Sequence, residues 1–114
     1  PIWIQLQEQL TRKILSGWYR AGERLPSVRE LAAEAGVNPN TMQKALAELE
    51  HRNLVVTLRT SGRVVTEDLN MIRETKNQLA KEQIDDFLKR MKALGFERED
   101  ILIMLKKETG GESA

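Results

Sequence analysis

The 114-residue chain contains no cysteine and a single histidine. The absence of cysteine excludes disulfide bonds, thiolate nucleophiles and zinc sites built on sulfur. One histidine is too few for a histidine-rich metal site, and His51 is most simply explained as a partner for the C-terminal dipole of a helix. We therefore expect no catalytic residue, no metal and no cofactor.

Aromatic residues and long hydrophobic runs are also scarce. Aromatic residues make up only 4% of the chain, so the core must be aliphatic. The longest apolar run is about five residues, far below the roughly 20 that a membrane-spanning helix needs. No secretory signal opens the chain. We expect a cytoplasmic protein with no membrane partner, and, because the chain starts at Pro1, a natural N-terminus further upstream.

Charge is balanced overall, at +1, but it is unevenly distributed. Residues 1–66 carry nine Lys or Arg against six Asp or Glu, whereas residues 67–114 carry nine against eleven. The resulting charges of +3 and −2 suggest an anion-binding module joined to a part with another task. We predict two domains, 1–66 and 67–114.

Apolar spacing and capping signals predict the order of the elements. Apolar residues every three or four positions predict helices over 4–16, 28–35, 39–52 and 68–93, with a last short helix near 101–105. Ser27 and Glu30 form a capping box, and Asn38 caps a helix that starts with proline. The β-branched runs 54–58 and 63–66 flank a turn and predict a hairpin. The order indicates a winged helix-turn-helix followed by a helical appendage, in an α+β, mainly α, fold class. The alternative is simply a compact α+β domain.

Four strings in the first half have a specific spacing. They are Leu25-Pro-Ser-Val-Arg-Glu-Leu-Ala32, Gly36-Val37, Asn38-Pro-Asn-Thr-Met-Gln-Lys-Ala45 and Leu49-Glu50. This pattern, over residues 1–66, resembles the N-terminal domain of GntR-type transcription regulators. The short tail, which includes Ala93-Leu-Gly-Phe-Glu-Arg-Glu-Asp-Ile101, is similar to the YtrA branch of that family. The resemblance implies a homodimeric DNA-binding repressor, dimerised through its tail, that controls an ABC-transporter operon.

Two positions depart from the family pattern. The family usually has glycine after the recognition helix, where this chain has Asn53, but asparagine tolerates the same positive φ. The wing usually ends in Gly-x-Gly-Thr-Phe-Val, whereas here it is Ser61-Gly-Arg-Val-Val65. The contacts of the wing are therefore expected to differ from those of other members.

Polar side chains around the third helix are the candidates for DNA recognition. The N-terminal end of a recognition helix enters the major groove, where Asn and Gln pair with adenine and Lys reaches guanine or phosphate. Arg29 is included because the family pattern uses this residue toward DNA. The alternative to DNA contact is that Ser27 and Asn38 only cap their helices. For Gln43 and Lys44, the alternative is that they lie on a solvated helix face. The predicted DNA-binding residues of the helices are Ser27, Arg29, Asn38, Asn40, Thr41, Gln43 and Lys44.

The predicted wing adds cations beside a polar tip. A hairpin that follows the groove places such cations near phosphates or in the minor groove. The alternatives are that Arg59 and Arg63 protect a strand edge and that Gly62 serves only the turn. Glu48 and Glu50 are expected on the far side of the third helix, since carboxylates repel phosphate. The predicted DNA-binding residues of the wing are Arg59, Ser61, Gly62 and Arg63.

A long apolar stripe follows the wing. Positions 68–93 would extend on the order of 39 Å as a helix, and an uncovered stripe of that length marks a partner surface. Packing against the winged domain of the same chain is the alternative. The predicted dimerisation residues are Leu69, Ile72, Leu79, Ile84, Phe87, Leu88, Met91, Leu94, Ile101 and Leu105.

Two classes of function remain open from the sequence. The first is a homodimeric regulator of double-stranded DNA, whose two-fold symmetry predicts a pseudo-palindromic operator with half-sites about one helical turn, or a multiple, apart. Its small-molecule effector is unknown. The alternative is a winged-helix protein-interaction module of a larger assembly. An enzyme is not expected, because no nucleophile–base pair or paired carboxylates occupy a plausible cleft.

Overall fold

A computed structural model describes residues 1–110, which form five helices and a two-stranded antiparallel sheet. The elements are α1 (Ile2–Leu15), α2 (Val28–Ala35), α3 (Pro39–His51), β1 (Val55–Leu58), β2 (Gly62–Val65), α4 (Leu69–Ala93) and α5 (Arg98–Glu108). The chain divides into two compact units, Pro1–Lys76 and the part from Asn77 onward, so the division falls inside α4. The predicted domain boundary after residue 66 stays a prediction, and positions 111–114 of the predicted second domain lie outside the described residues.

Local capping explains where the two central helices begin and end. The Ser27 hydroxyl accepts a hydrogen bond from the Glu30 amide (3.1 Å), and the Glu30 carboxylate accepts one from the Ser27 amide (2.9 Å), which confirms the capping box. Helix α2 ends at Gly36, whose φ of 68° is left-handed. Asn38 Oδ1 then accepts a hydrogen bond from the Asn40 amide (2.7 Å) and starts α3. The short turn between these caps makes α2 and α3 a helix-turn-helix.

The first unit has an aliphatic core, as the shortage of aromatic residues predicts. Three helices and the base of the hairpin bury their apolar faces in it, and the first turn of α4 adds Met71 and Ile72 at its edge. Each fully buried aliphatic side chain contributes about 1.5–3 kcal/mol to folding through removal from water. The core residues are Leu6, Leu10, Ile14, Tyr19, Leu25, Leu31, Ala32, Met42, Ala45, Leu46, Leu49, Leu54, Val55 and Val65.

The hairpin is joined by a third backbone segment that the sequence did not predict. Strands β1 and β2 pair in antiparallel register, with Val55 opposite Val65 and Leu58 opposite Gly62. On the other side of β2, the Leu25 amide donates to the Arg63 carbonyl (2.9 Å) and the Val65 amide donates to the Glu23 carbonyl (2.8 Å). Strand β2 is therefore hydrogen-bonded on both sides. The predicted winged helix-turn-helix, in a mainly helical α+β class, is confirmed.

The second unit contains the rest of α4 and helix α5. Gly95, with a φ of 102°, follows α4, and the Phe96 amide donates back to the Met91 carbonyl (3.3 Å). Ile101 is the buried residue of α5, at 1% exposure. Over the described part of the chain, no helix combines the length and hydrophobicity that crossing a membrane requires.

Candidate nucleic-acid interface

Helix α3 has one buried apolar face and one exposed polar face. Met42, Ala45 and Leu46 are buried in the core, whereas Gln43 and Lys44 between them are exposed. This alternation follows from helical periodicity, which brings positions three and four apart to the same side. Among the predicted DNA-binding residues of the helices, the structure exposes Ser27, Arg29, Asn38, Asn40, Gln43 and Lys44 and leaves Thr41 half-buried.

Asn38 acts as a helix cap, which is the role that its position before Pro39 predicts. Its side-chain oxygen is occupied by the Asn40 amide, so its amide nitrogen is the group that remains for a base or phosphate. Ser27 likewise uses its hydroxyl to cap α2. Capping and DNA contact do not exclude each other, because the Asn38 amide nitrogen and the Ser27 O–H can still donate a hydrogen bond.

Lys44 lies against an aromatic ring that sequence reasoning did not select. Its Nζ is 4.8 Å from the centroid of the Trp3 ring, which comes from the first turn of α1. A cation–π contact of this kind is worth about 0.5–1 kcal/mol at an exposed site. The contact favours a position of the Lys44 ammonium group at the junction of α1 and α3. The only signal in the sequence was a tryptophan in a chain with few aromatic residues.

The two arginines of the predicted wing differ in their surroundings. Arg59 is exposed at the tip. The Arg63 side chain is only 20% exposed, and its Nε donates to Glu50 Oε1 at 2.9 Å. Gly62 has a φ of 74°, a left-handed conformation that glycine adopts without strain, so the turn favours glycine here. The space around it is open, since a Cβ would meet no atom within 4 Å. Ser61 beside it is half-buried.

Glu50 does not lie free on the far side of α3 as expected. Its carboxylate accepts hydrogen bonds from the Thr57 hydroxyl and from Arg63, one to each oxygen. Glu48 instead pairs with Arg52 on its own helix (2.8 Å). An arginine of the wing thus neutralises Glu50, a pairing that the expectation did not consider. The Thr57 hydroxyl, followed by Arg63, lowers the pKa of Glu50 against the opposing effect of burial.

This lowered pKa predicts how the stability of the protein depends on pH. A carboxyl group whose pKa is lower in the folded than in the unfolded state stabilises the fold above the unfolded pKa and loses this contribution as the pH falls through the folded pKa. We expect urea unfolding to show a wild-type advantage over Glu50→Gln that is complete above the ordinary pKa of 4.5 and shrinks below it. A difference that persists unchanged to pH 2 would contradict this assignment. The variant Thr57→Val should move the loss to higher pH, because it removes the largest cause of the shift.

A cleft of about 570 Å³ joins the start of α2 to the wing. It brings Ser27 together with Gly62 and Arg63, two parts of the predicted interface that lie 35 positions apart in the chain. Arg24 also lines this cleft and was not selected from the sequence. In the sequence, Arg24 could have been noticed only as a cation directly before the Leu-Pro-Ser string. In the structure, it lies on the segment that pairs with β2. The Glu30 carboxylate lines the cleft as well, and Arg63 is paired with Glu50, so Arg24 and the Ser27 hydroxyl are the groups that this cleft offers to an anion.

The predicted dimerisation residues fall into three groups. Ile72 packs, partly buried, against the core of its own unit, and Ile101 is buried, so the role of both in dimerisation stays a prediction. The half-buried group is Leu79, Phe87, Leu88 and Met91. The exposed group is Leu69, Ile84, Leu94 and Leu105, to which the structure adds Leu102, Ile103 and Met104.

Comparison with known proteins gives a consistent result. The family described as "Bacterial regulatory proteins, gntR family" matches residues 4–65, more than half of the chain. An uncharacterized HTH-type transcriptional regulator of Bacillus subtilis, YhcF, is 36% identical over 111 residues, which are 97% of this chain and 92% of YhcF. The HTH-type transcriptional repressor YtrA of the same organism is 38% identical over 89 residues, which are 77% of this chain and 68% of YtrA.

A solved structure extends the likeness to the fold. The GntR family transcriptional regulator from Listeria monocytogenes is 40% identical, with a TM-score of 0.88 over 94% of both chains. The similarity to YtrA also runs beyond the winged domain, because its 89 matched residues exceed the span from 4 to 65. The chain therefore belongs to the GntR family of bacterial regulatory proteins, which are DNA-binding transcription regulators and not enzymes.

Proposed function

We propose that the protein is a homodimeric repressor that binds a pseudo-palindromic operator in double-stranded DNA. The observation that carries this proposal is the polar, exposed start of α3, set over a face that the core buries completely. A recognition helix needs this combination, because the buried face fixes its position while the other face meets the bases. Arg59 at the wing tip and Arg24 beside α2 supply cations for the phosphates.

The exposed side chains divide by the chemistry they offer. Asn40 and Gln43 carry amides that can pair with adenine through two hydrogen bonds, and these provide sequence discrimination. Arg29 and Lys44 can bond guanine or phosphate. Arg59 at the wing tip offers a cation to the backbone or the minor groove. Base contacts specify the sequence and phosphate contacts position the protein.

The exposed face of α5 supports dimerisation through a second copy of the chain. Leu102, Ile103 and Leu105 are exposed side chains on this helix, and exposed apolar clusters mark association surfaces. The helix is also acidic in its first turn and basic in its last, with Asp100 and Lys106 near opposite ends. Two α5 helices that pair antiparallel about a two-fold axis would place the acidic end of each beside the basic end of the other.

The repressor role is supported by the similarity to YtrA, which is named a transcriptional repressor. Control of an ABC-transporter operon stays a prediction from the family resemblance. The alternative of a protein-interaction module would require an apolar or acidic face on α3. Gln43 and Lys44 on that face do not favour it.

Selection of duplexes from a random pool by the purified protein tests the proposal. We expect an enriched sequence with two-fold symmetry and half-sites spaced by about one helical turn or a multiple of it. The logarithm of the binding constant should fall linearly with the logarithm of the salt concentration, by about 0.9 per phosphate contact. No enrichment, together with binding that does not depend on salt, would refute DNA recognition. An enriched sequence without symmetry would refute the dimer alone.

A further inference from the structure

Glu50 connects the last turn of the recognition helix to both strands of the wing. Its Oε1 accepts the hydrogen bond from Arg63 on β2, and its Oε2 accepts the one from the Thr57 hydroxyl on β1. Each oxygen of the carboxylate is thus committed to a different strand. We call these three residues the Glu50 cluster.

The strand register explains why one carboxylate can reach both partners. Thr57 and Arg63 are directly opposite each other in the antiparallel pair. Side chains opposite each other in such a pair lie on the same face of the sheet, with Cβ atoms about 4.5–5.5 Å apart. Glu50 therefore holds one cross-strand pair of the hairpin against α3. The contact joins groups 7 and 13 positions away from Glu50 in the chain.

The cluster also neutralises one of the two arginines of the wing. The Arg63 side chain is 20% exposed and neutralised by a carboxylate that is itself 32% exposed. Arg59 at the tip is exposed. Non-specific binding to duplex DNA is electrostatic and grows with each cation that reaches a phosphate. A cation held by a carboxylate does not contribute to that binding.

We propose that Glu50 is a specificity-determining positioning residue, which fixes the wing against the recognition helix and keeps Arg63 away from the phosphates. The inference rests on the proposed DNA binding. In this arrangement Arg63 braces the wing, in contrast to the phosphate contact predicted from the sequence. The cluster limits the affinity for unrelated DNA and leaves discrimination to the bases that α3 contacts.

Glu50→Gln and Glu48→Gln provide a matched comparison. Both remove one negative charge from α3, but Glu48 bonds only Arg52 on its own helix. Binding is measured over a salt series on two duplexes of equal length, one selected from the random pool and one of unrelated sequence. For the unrelated duplex, we expect Glu50→Gln to bind roughly 3- to 10-fold more tightly, with a salt slope steeper by about 0.9, because one more cation reaches a phosphate. The preference for the selected duplex should fall, whereas Glu48→Gln should keep the wild-type salt slope and preference.

Two further variants separate this role from a general effect of charge or folding. Glu50→Asp keeps the charge but shortens the reach, and it should steepen the slope in the same way. Adding Arg63→Gln to Glu50→Gln should remove the gain. Equal effects of the Glu50 and Glu48 variants would overturn the inference, and so would a slope that becomes shallower by about 0.9 when Arg63→Gln is made alone. Failure of the proposed function shows in the wild-type protein itself, as an absence of DNA binding.

Discussion

Replacing Leu102 and Leu105 together by aspartate should convert the protein to monomers and lower its affinity for a two-fold symmetric operator by about 10²- to 10⁴-fold. Both side chains are exposed on α5, at 49% and 40%, so the double variant should fold as the wild type does. In the proposed dimer, each aspartate would be transferred from water into an apolar contact without a partner, which strongly disfavours association. The two winged domains would then bind their half-sites independently and lose the gain in effective concentration.

Sedimentation measures the oligomeric state, and titration of the selected duplex measures the affinity. Ile2→Asp is the control, because Ile2 is also an exposed apolar residue, at 58%, but lies on α1 in the other unit. It should leave the dimer intact. A double variant that still sediments as a dimer would place the interface on another surface. A monomeric variant that keeps wild-type operator affinity would show that dimerisation does not contribute to binding.

Alanine in place of Arg29 or Gln43 should weaken binding to the selected duplex by about 1–3 kcal/mol each, or roughly 5- to 150-fold. Arg29 is exposed in the first turn of α2 and Gln43 is exposed in the second turn of α3. Truncation of either side chain should therefore leave the fold unchanged. The unrelated duplex distinguishes their roles. Loss of a base contact by Gln43 should leave the affinity for the unrelated duplex unchanged. The same result for Arg29 would assign it to a base, whereas weaker binding to both duplexes with a reduced salt slope would assign it to a phosphate.

Gln83→Ala is the control for these two variants, since it removes the same exposed amide from α4 in the second unit. It should bind both duplexes as the wild type does. Unchanged affinity and an unchanged footprint for both Arg29→Ala and Gln43→Ala would remove these residues from the interface. The remaining candidates would then be the wing and the first turn of α3.

The helix-turn-helix could be predicted because its determinants are local. The capping box of Ser27 and Glu30, the cap at Asn38 and the positive φ of Asn53 (63°) each depend on neighbours within a few positions. The pairing of β2 with the segment before α2 could not be predicted in this way. Its hydrogen bonds join backbone groups about 40 positions apart, such as those of Leu25 and Arg63, and backbone groups leave no side-chain pattern in the sequence.

For the candidate interface, the exposure of the polar side chains could be predicted, but the partner of each side chain could not. The polar residues of α3 are exposed as periodicity requires. Periodicity did not show that Arg63 is bound by Glu50, because an ion pair between elements depends on how they pack. The spacing of the apolar stripe likewise does not show what covers each side chain. Spacing shows that Ile72 and Ile101 avoid water, but not whether their own chain or a partner covers them.

The position of β2 between two hydrogen-bonded neighbours has a mechanical consequence. A hairpin whose strands bonded only each other could bend freely at its base. Here β2 is also hydrogen-bonded to the backbone segment that leads directly into Ser27 and α2. A force that displaces the hairpin must therefore either break amide–carbonyl bonds or pull on the entry to the second helix. The hairpin and the second helix of this regulator form a single stiff frame, and the third helix packs within it.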